Sequence, residues 1–438
     1  MERQNRNRIA QLLFVIFMIL LWIPALDMPF RFIGERPLDG AVAHAERPEL
    51  SAQSWFDESF QQNAEQFLNQ KFGFRNTLVR SYNQLVFWLY HKTTAKGVVL
   101  GKDNYLYELN YIKAYYGQDF RGDSIIAERV RRLSFLNDTL TKLGKTMIVA
   151  MAPGKAQFYP QYIPDDLRSE KSTSNYEAIL REAKKQGLPI MDFNGWFLAI
   201  KDSVPYPLYP KTGIHWSHYG MNLFFDSIVR HIEQTQGVDI PDYEVSEYYL
   251  SDQYQSPDND IELGMNLLFP LENFPMAYAD YTINESHKKK LKIMVISDSF
   301  FWALYSRNVM SKVFDDGEFW YYNQEIFQPS MEKQSATFMD IEQEIMDKDV
   351  VMLLSTDANL RDFPWGFDEQ AEHAILEMDY AAKQERKKQI DIYIQRILNS
   401  EDMMKFITEK AHTRKIAVDS MILLDATYLY DQSLKNKD

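Results

Sequence analysis

The chain has 438 residues, no cysteine and a formal charge of −14, from 48 basic and 62 acidic side chains. Without Cys there is no disulfide, thiolate nucleophile or Cys-ligated zinc, and the acidic balance sets nucleic acid aside as a partner, since binding it needs a basic field against phosphate. Hydrophobic residues at 45% and charged residues at 25% exclude a disordered or collagenous chain, and the length suggests two or three domains.

Ile9 to Leu26 carries no charged side chain and as a helix spans about 27 Å at 1.5 Å per residue, enough for the core of a bilayer. Arg3, Arg6 and Arg8 precede it. The positive-inside rule therefore leaves a tail, residues 1–8, in the cytoplasm and exports the rest. A cleaved signal peptide is the alternative, but the Ala43-x-Ala45 pair lies far beyond the apolar run, where cleavage normally follows closely. The expectation is an uncleaved single-pass anchor at 9–26 in the inner (cytoplasmic) membrane, with the bulk of the chain periplasmic. Cys-free usage fits that compartment.

Residues 27–95 read as a linker and juxtamembrane helices. The stretch 28–50 lacks periodicity, whereas Ser54 to Trp88 places Phe56, Phe60, Ala64, Phe67 and Leu68 at helical spacing, with Gly73 dividing two helices. From Lys96 the pattern alternates. A helix over Ile126–Leu143 runs into the apolar strand Thr146–Ala152; a helix over Tyr176–Gln186 runs into a strand over Leu188–Phe193. Further apolar strands are expected at Lys290–Ser297 and Asp349–Ser355. Such alternation predicts an α/β domain over residues 96–360, a mostly parallel sheet covered by helices on both faces. Residues 361–438 read as a charged helical extension, whose Ile390, Ile392, Ile394 and Ile397 suit packing on the parent domain or contact with another protein.

In such sheets ligands bind beyond the carboxyl ends of the strands, and three polar constellations fall there. In Ser297-Asp298-Ser299-Phe300 a serine on a strand-to-helix turn exposes its Oγ beside N–H groups able to hold an oxyanion; a plain helix N-cap explains the tripeptide equally well. In Lys211 to Gly220, His215 can serve as general base, or be a histidine merely fixed at a helix start. A metal site at His215 and His218 finds no Cys and no HExxH pattern to support it. In Ala152-Pro153-Gly154-Lys155, Gly154 permits close backbone approach and Lys155 can reach an anionic or carbonyl group, or the segment is a simple turn.

Taken together these residues are similar to a known family. Lys71-Phe72-Gly73-Phe74-Arg75, the run from Gly97 to Tyr107 (GVVLGKDNYLY), Ala152-Pro153-Gly154-Lys155, His215-Trp216-Ser217 with Gly220, and Ser297-Asp298-Ser299-Phe300 occur in one order. In that order they resemble the SGNH-hydrolase-like proteins of the alginate O-acetyltransferase group (AlgJ/AlgX type, also called DHHW proteins), over about residues 46–360. The resemblance implies an SGNH-hydrolase-like fold and a tethered or exported domain that moves acetyl groups onto exported or cell-surface polysaccharide. The acyl group would come from a membrane-bound O-acyltransferase. It assigns Ser299 as nucleophile and His215 as its base, with Ser297, Asp298, Lys155, Trp216 and Asn359 expected on the oxyanion and substrate side, and implies no metal and no cofactor. Stacking on Trp216 or nearby tyrosines would place the sugar and exclude water.

One departure matters. The family has Asp two residues before the histidine, where this chain has Gly213. An Asp there orients the imidazole and stabilises its charged form. Three outcomes are open: a Ser–His dyad held by a backbone carbonyl; a carboxylate from elsewhere, with Asp192, Asp202 and Asp357 as candidates; or a degenerate site kept for glycan binding or scaffolding. A carbohydrate esterase would share all these residues. The net charge disfavours a polyanionic acceptor and suits a neutral glycan or peptidoglycan.

Overall fold

The computed structural model describes residues 2–30, 32, 34–40, 45–377 and 380–435. Ala43, half of the cleavage-like pair, lies outside them. Helix α1 (Glu2–Phe30) contains the segment Arg8–Met28, long and apolar enough to cross a membrane and, but for Asp27 near its end, unburied by the rest of the chain. After the linker come α2 (Ala52–Phe56), α3 (Ser59–Lys71) and α4 (Arg75–Tyr90). Gly73 divides α3 from α4, as its position suggested. A Cβ there would stand 2.2 Å from the carbonyl oxygen of Pro24, so only glycine lets this turn seat on the end of α1.

The hairpin β1 (Val98–Leu100) and β2 (Leu106–Glu108) opens the α/β domain. Helix α5 (Leu109–Tyr115) follows. In α6 (Asp123–Lys142) Ile126, Val130, Leu133, Leu136 and Leu140 recur on one face and are buried. Strand β3 (Thr146–Ala152) is buried at all seven residues, which is why it reads as an unbroken apolar run. After the short α7 (Lys155–Phe158), α8 (Asn175–Gln186) starts at a Ser174–Glu177 capping box and stops at left-handed Gly187. Strand β4 (Met191–Asp192) is shorter than the expected Leu188–Phe193, because helix α9 (Phe193–Ile200) begins at once, capped by Asp192. Helix α10 (His218–Gln236) is capped by Ser217.

Two short ribbons, β5 (Asp242–Val245) with β8 (Tyr281–Asn284) and β6 (Tyr249–Ser251) with β7 (Met276–Tyr278), flank helix α11 (Asp260–Met265) in sequence. The remainder of the domain runs β9 (Ile293–Ser297), α12 (Trp302–Ser306), α13 (Val309–Val313), β10 (Glu318–Tyr321), β11 (Glu325–Gln328), β12 (Met331–Ser335), α14 (Ile341–Asp347), β13 (Val350–Thr356) and α15 (Phe367–Leu376).

The central sheet has the order β12-β11-β10-β9-β13-β3-β4. The five strands from β10 to β4 are mutually parallel, and β11 and β12 turn back antiparallel at the edge. The fold is thus α/β with a mixed, mostly parallel sheet. One face of the sheet packs on α10 through Phe224, Phe225 and Ile228. The other packs on α6, α8 and α15 through Val130, Ala178 and Phe367. The carboxy-terminal α16 (Tyr380–Leu398), α17 (Glu401–Arg414) and α18 (Val418–Lys435) share a separate core built on Ile397, Ile407, Met421 and Ile422, with Ile390 and Ile394 against it. These apolar residues pack on one another.

Candidate active site

Because β9, β13 and β3 are parallel neighbours, their carboxyl ends meet at one rim of the sheet. Strand β9 ends at Ser297. Asp298 then caps a 3-10 turn that begins at Ser299 and leads into α12. At the start of this turn the Phe300 N–H is taken by the Asp298 side chain and the Phe301 N–H by the Asp298 carbonyl. The Asp298 carboxylate is fully buried and accepts hydrogen bonds from the Phe300 N–H (3.1 Å), the Thr356 N–H (2.8 Å), the Thr356 hydroxyl (2.9 Å) and the Asn359 amide (2.9 Å). It therefore rivets the end of β9 to the end of β13 and fixes the turn that presents Ser299.

Opposite, the loop from Lys211 to Ser217 carries His215. Its Nε2 lies 3.0 Å from Ser299 Oγ and its Nδ1 lies 2.6 Å from Asp260 Oδ2. Asp260 opens α11, and its other oxygen accepts the N–H groups of Ile214 and Ile261, each at 2.8 Å. With Nδ1–H donated to Asp260, Nε2 is left to accept the Ser299 hydroxyl proton. Burial alone would depress the His215 pKa; the Asp260 carboxylate, aided by Asp298 and Glu108, overrides it and holds the imidazole above its ordinary value.

The orienting carboxylate thus comes from none of the residues expected. Asp192 caps α9 and accepts from the Tyr176 hydroxyl. Asp357 is buried against Gly154, and burial pushes its carboxyl up to about 7. Asp202 is no partner of His215 in these contacts. Gly213 explains the exchange. A Cβ at 213 would stand 2.7 Å from the carbonyl oxygens of Pro257 and Asp258, so the loop that brings Asp260 to the ring occupies the space a side chain at 213 would need. Little in the sequence pointed there; the only hint was Gly213 itself, together with the acids Asp258, Asp260 and Glu262.

The remaining expected residues lie behind the cleft. Lys155 is fully buried, and its ammonium donates to the carbonyls of Lys211 (2.8 Å) and Gly213, tying the His215 loop to the end of β3; burial lowers its pKa to about 7. Trp216 is also fully buried, packed on Phe224 and Phe300, and offers no face to a sugar. That corrects the expectation of stacking, and its cause is the alternation of the loop, which turns His215 outward and Trp216 into the core. Ser297 is buried within β9, and Asn359 spends its amide on Asp298 and Thr356. His218 turns to the Ser256 carbonyl and Arg307, away from His215, which separates the two histidines considered for a metal. Glu108, at the end of β2, was not anticipated. Burial raises its pKa, Asp260 raises it further and His215 opposes.

Residues 98–263 match the model of an SGNH hydrolase-like domain described as acetyltransferase AlgX. The chain resembles the AlgJ/AlgX type. Over 146 residues it is 27% identical to the probable alginate O-acetylase AlgJ of Pseudomonas aeruginosa, covering 33% of this chain and 35% of that one. Over 124 residues it is 27% identical to the protein of the same name from Pseudomonas syringae pv. tomato, covering 28% and 30%. The chain therefore spans about a third of the length of the curated relatives it matches. Among solved structures, the O-acetyltransferase domain of Pseudomonas putida AlgJ aligns with a TM-score of 0.41 at 15% identity, over 64% of this chain and 99% of that one. The AlgX structure from Pseudomonas aeruginosa aligns with a TM-score of 0.39 at 11% identity, over 62% and 66%. The AlgJ/AlgX-type span contains Lys155, His215 and Asp260 and stops before Ser299.

Proposed function

We propose that this chain is a membrane-anchored, extracytoplasmic, serine-dependent O-acetyltransferase acting on an exported or cell-surface polysaccharide. The observation that carries the reading is the unbroken relay from Ser299 through His215 to Asp260 at the carboxyl rim of the sheet. In the proposed reaction His215 Nε2 takes the Ser299 proton as Oγ attacks the acetyl carbonyl, and the Ser299 N–H at the start of the turn helps hold the oxyanion. The same imidazole, its charge stabilised by Asp260, returns the proton to the departing oxygen of the donor, leaving acetyl-Ser299. A sugar hydroxyl then gives its proton to His215 and attacks the ester, which releases the acetylated sugar and restores Ser299. The donor would be a membrane-bound O-acyltransferase, a partner that helix α1 would bring within reach.

The test replaces Ser299 by Ala and follows both acetyl release from a chromogenic ester and acetylation of the surface polysaccharide. A fall of about three orders of magnitude or more in both is expected for loss of a serine nucleophile. Unchanged activity in both would remove the reading; ester cleavage with no effect of the chain on surface acetylation would convert it to an esterase.

A further inference from the structure

Helix α4 is inside out. Its buried residues are Arg80, Asn83 and Gln84. Arg80 donates to the Pro37 carbonyl and pairs with Asp39, Asn83 donates to the Met265 carbonyl at 2.9 Å, and Gln84 accepts the N–H groups of Leu268 and Phe269 at 3.1 Å. The opposite face carries Leu78, Tyr82, Leu85, Trp88 and Leu89, all at least half exposed and recurring at helical spacing. Phe269, also more than half exposed, stacks on Trp88 and widens the patch. A polar stripe turned inward and an apolar stripe turned outward mean that the cover of this helix is not water.

Two further observations say what covers it. The turn that starts α4 is seated on the end of α1 through Gly73, against Pro24 and Asp27, so the stripe begins where the membrane-spanning segment ends. Residues 71–96 also hold no acidic side chain and, besides the buried Arg80 paired with Asp39, four basic ones, within a chain of net −14. That local field suits anionic headgroups, while a second copy of the chain would present the same field to itself. Leucine flanked by Trp and Tyr, with lysines beyond, is the composition of a helix lying in a bilayer interface.

We infer that α4 lies in the headgroup region of an anionic membrane, its Leu78–Leu89 stripe against the acyl chains. The inference rests on the reading of α1 as an anchor. Since Asn83 holds the end of α11, and α11 begins at Asp260, the docked helix sets the height of the Ser299–His215 cleft above the lipid.

The absence of cysteine makes the test direct. Full-length chains bearing Leu78→Cys, Tyr82→Cys, Leu85→Cys or Leu89→Cys are labelled with a fluorophore and reconstituted into vesicles of phosphatidylethanolamine and phosphatidylglycerol. Lipids spin-labelled near the headgroup then serve as quenchers, and Leu143→Cys, at the end of α6, is the reference. Quenching severalfold stronger at the four stripe positions is expected. The excess should shrink when phosphatidylcholine replaces phosphatidylglycerol, or in Lys92→Gln and Lys96→Gln, by about fivefold in the docked-to-free ratio for each charge removed. Flotation of the vesicles reports on α1 separately. A chain that fails to float defeats both readings. A chain that floats while its stripe labels are quenched no more than Leu143→Cys overturns this inference and passes the stripe to a protein partner.

Discussion

His215 Nδ1 and Asp260 Oδ2 stand 2.6 Å apart although the two residues are separated by 45 positions in the chain. The pair makes a triad of what the local sequence presents as a dyad. Asp260→Asn should therefore keep the fold and lower kcat for acetyl transfer by about 10³- to 10⁴-fold, because the amide favours the wrong imidazole tautomer and cannot stabilise the imidazolium. Gly213→Asp in that background should recover nothing, since the carbonyls of Pro257 and Asp258 already fill the position. Steady-state kinetics on the two variants decides the matter; rescue by Gly213→Asp would mean that the Asp260 loop is dispensable.

The pH profile follows from the same contact. His215 must be neutral to accept the serine proton, and its pKa lies above the ordinary imidazole value because Asp260 outweighs burial. Activity should thus rise with pH along a limb centred above about 6.5. In Asp260→Asn the residual activity should have its limb at lower pH, burial now acting with less opposition. For stability the sign is reversed: the raised pKa contributes folding free energy that is present below the ordinary imidazole pKa and is lost as pH rises through the folded one. A limb that does not move in Asp260→Asn would count against His215 as the titrating group.

Lys155 is a positioning residue, reaching no reacting atom but holding the carbonyls of Lys211 and Gly213. Lys155→Met preserves the length of the stem and strands both acceptors. A loss of about 2 kcal/mol in unfolding free energy is expected from two unsatisfied buried carbonyls. Turnover should fall at least tenfold, about 1.4 kcal/mol in the barrier, with KM little changed, because the ring loses its register to Ser299. A stability loss with kcat intact would make the lysine purely structural.

The parallel strands were legible because both faces are covered: β3 and β13 are buried at every residue, and that burial writes an unbroken apolar run. Strand β12 was not, since its first three residues are exposed and its sequence, Met331 to Ser335, carries no apolar pattern. Ser299 and His215 could be found from their loops, as each sits at an element boundary with its own capping chemistry. Asp260 could not, because its tie to His215 depends on the packing of Pro257 and Asp258 onto Gly213 and leaves no periodic trace. Trp216 was misplaced for a related reason. Which of two adjacent loop side chains faces the core depends on backbone geometry alone, and here Phe224 and Phe300 claim the indole.

Strand β13 is inserted between β9 and β3, with five residue pairs on one side and seven on the other. The segments that bear Ser299 and that anchor the His215 loop are therefore not neighbours until residues 350–356 arrive between them. If the chain is exported behind its amino-terminal helix, as proposed, Ser299 and His215 meet only after residues 350–356 have crossed and closed the sheet.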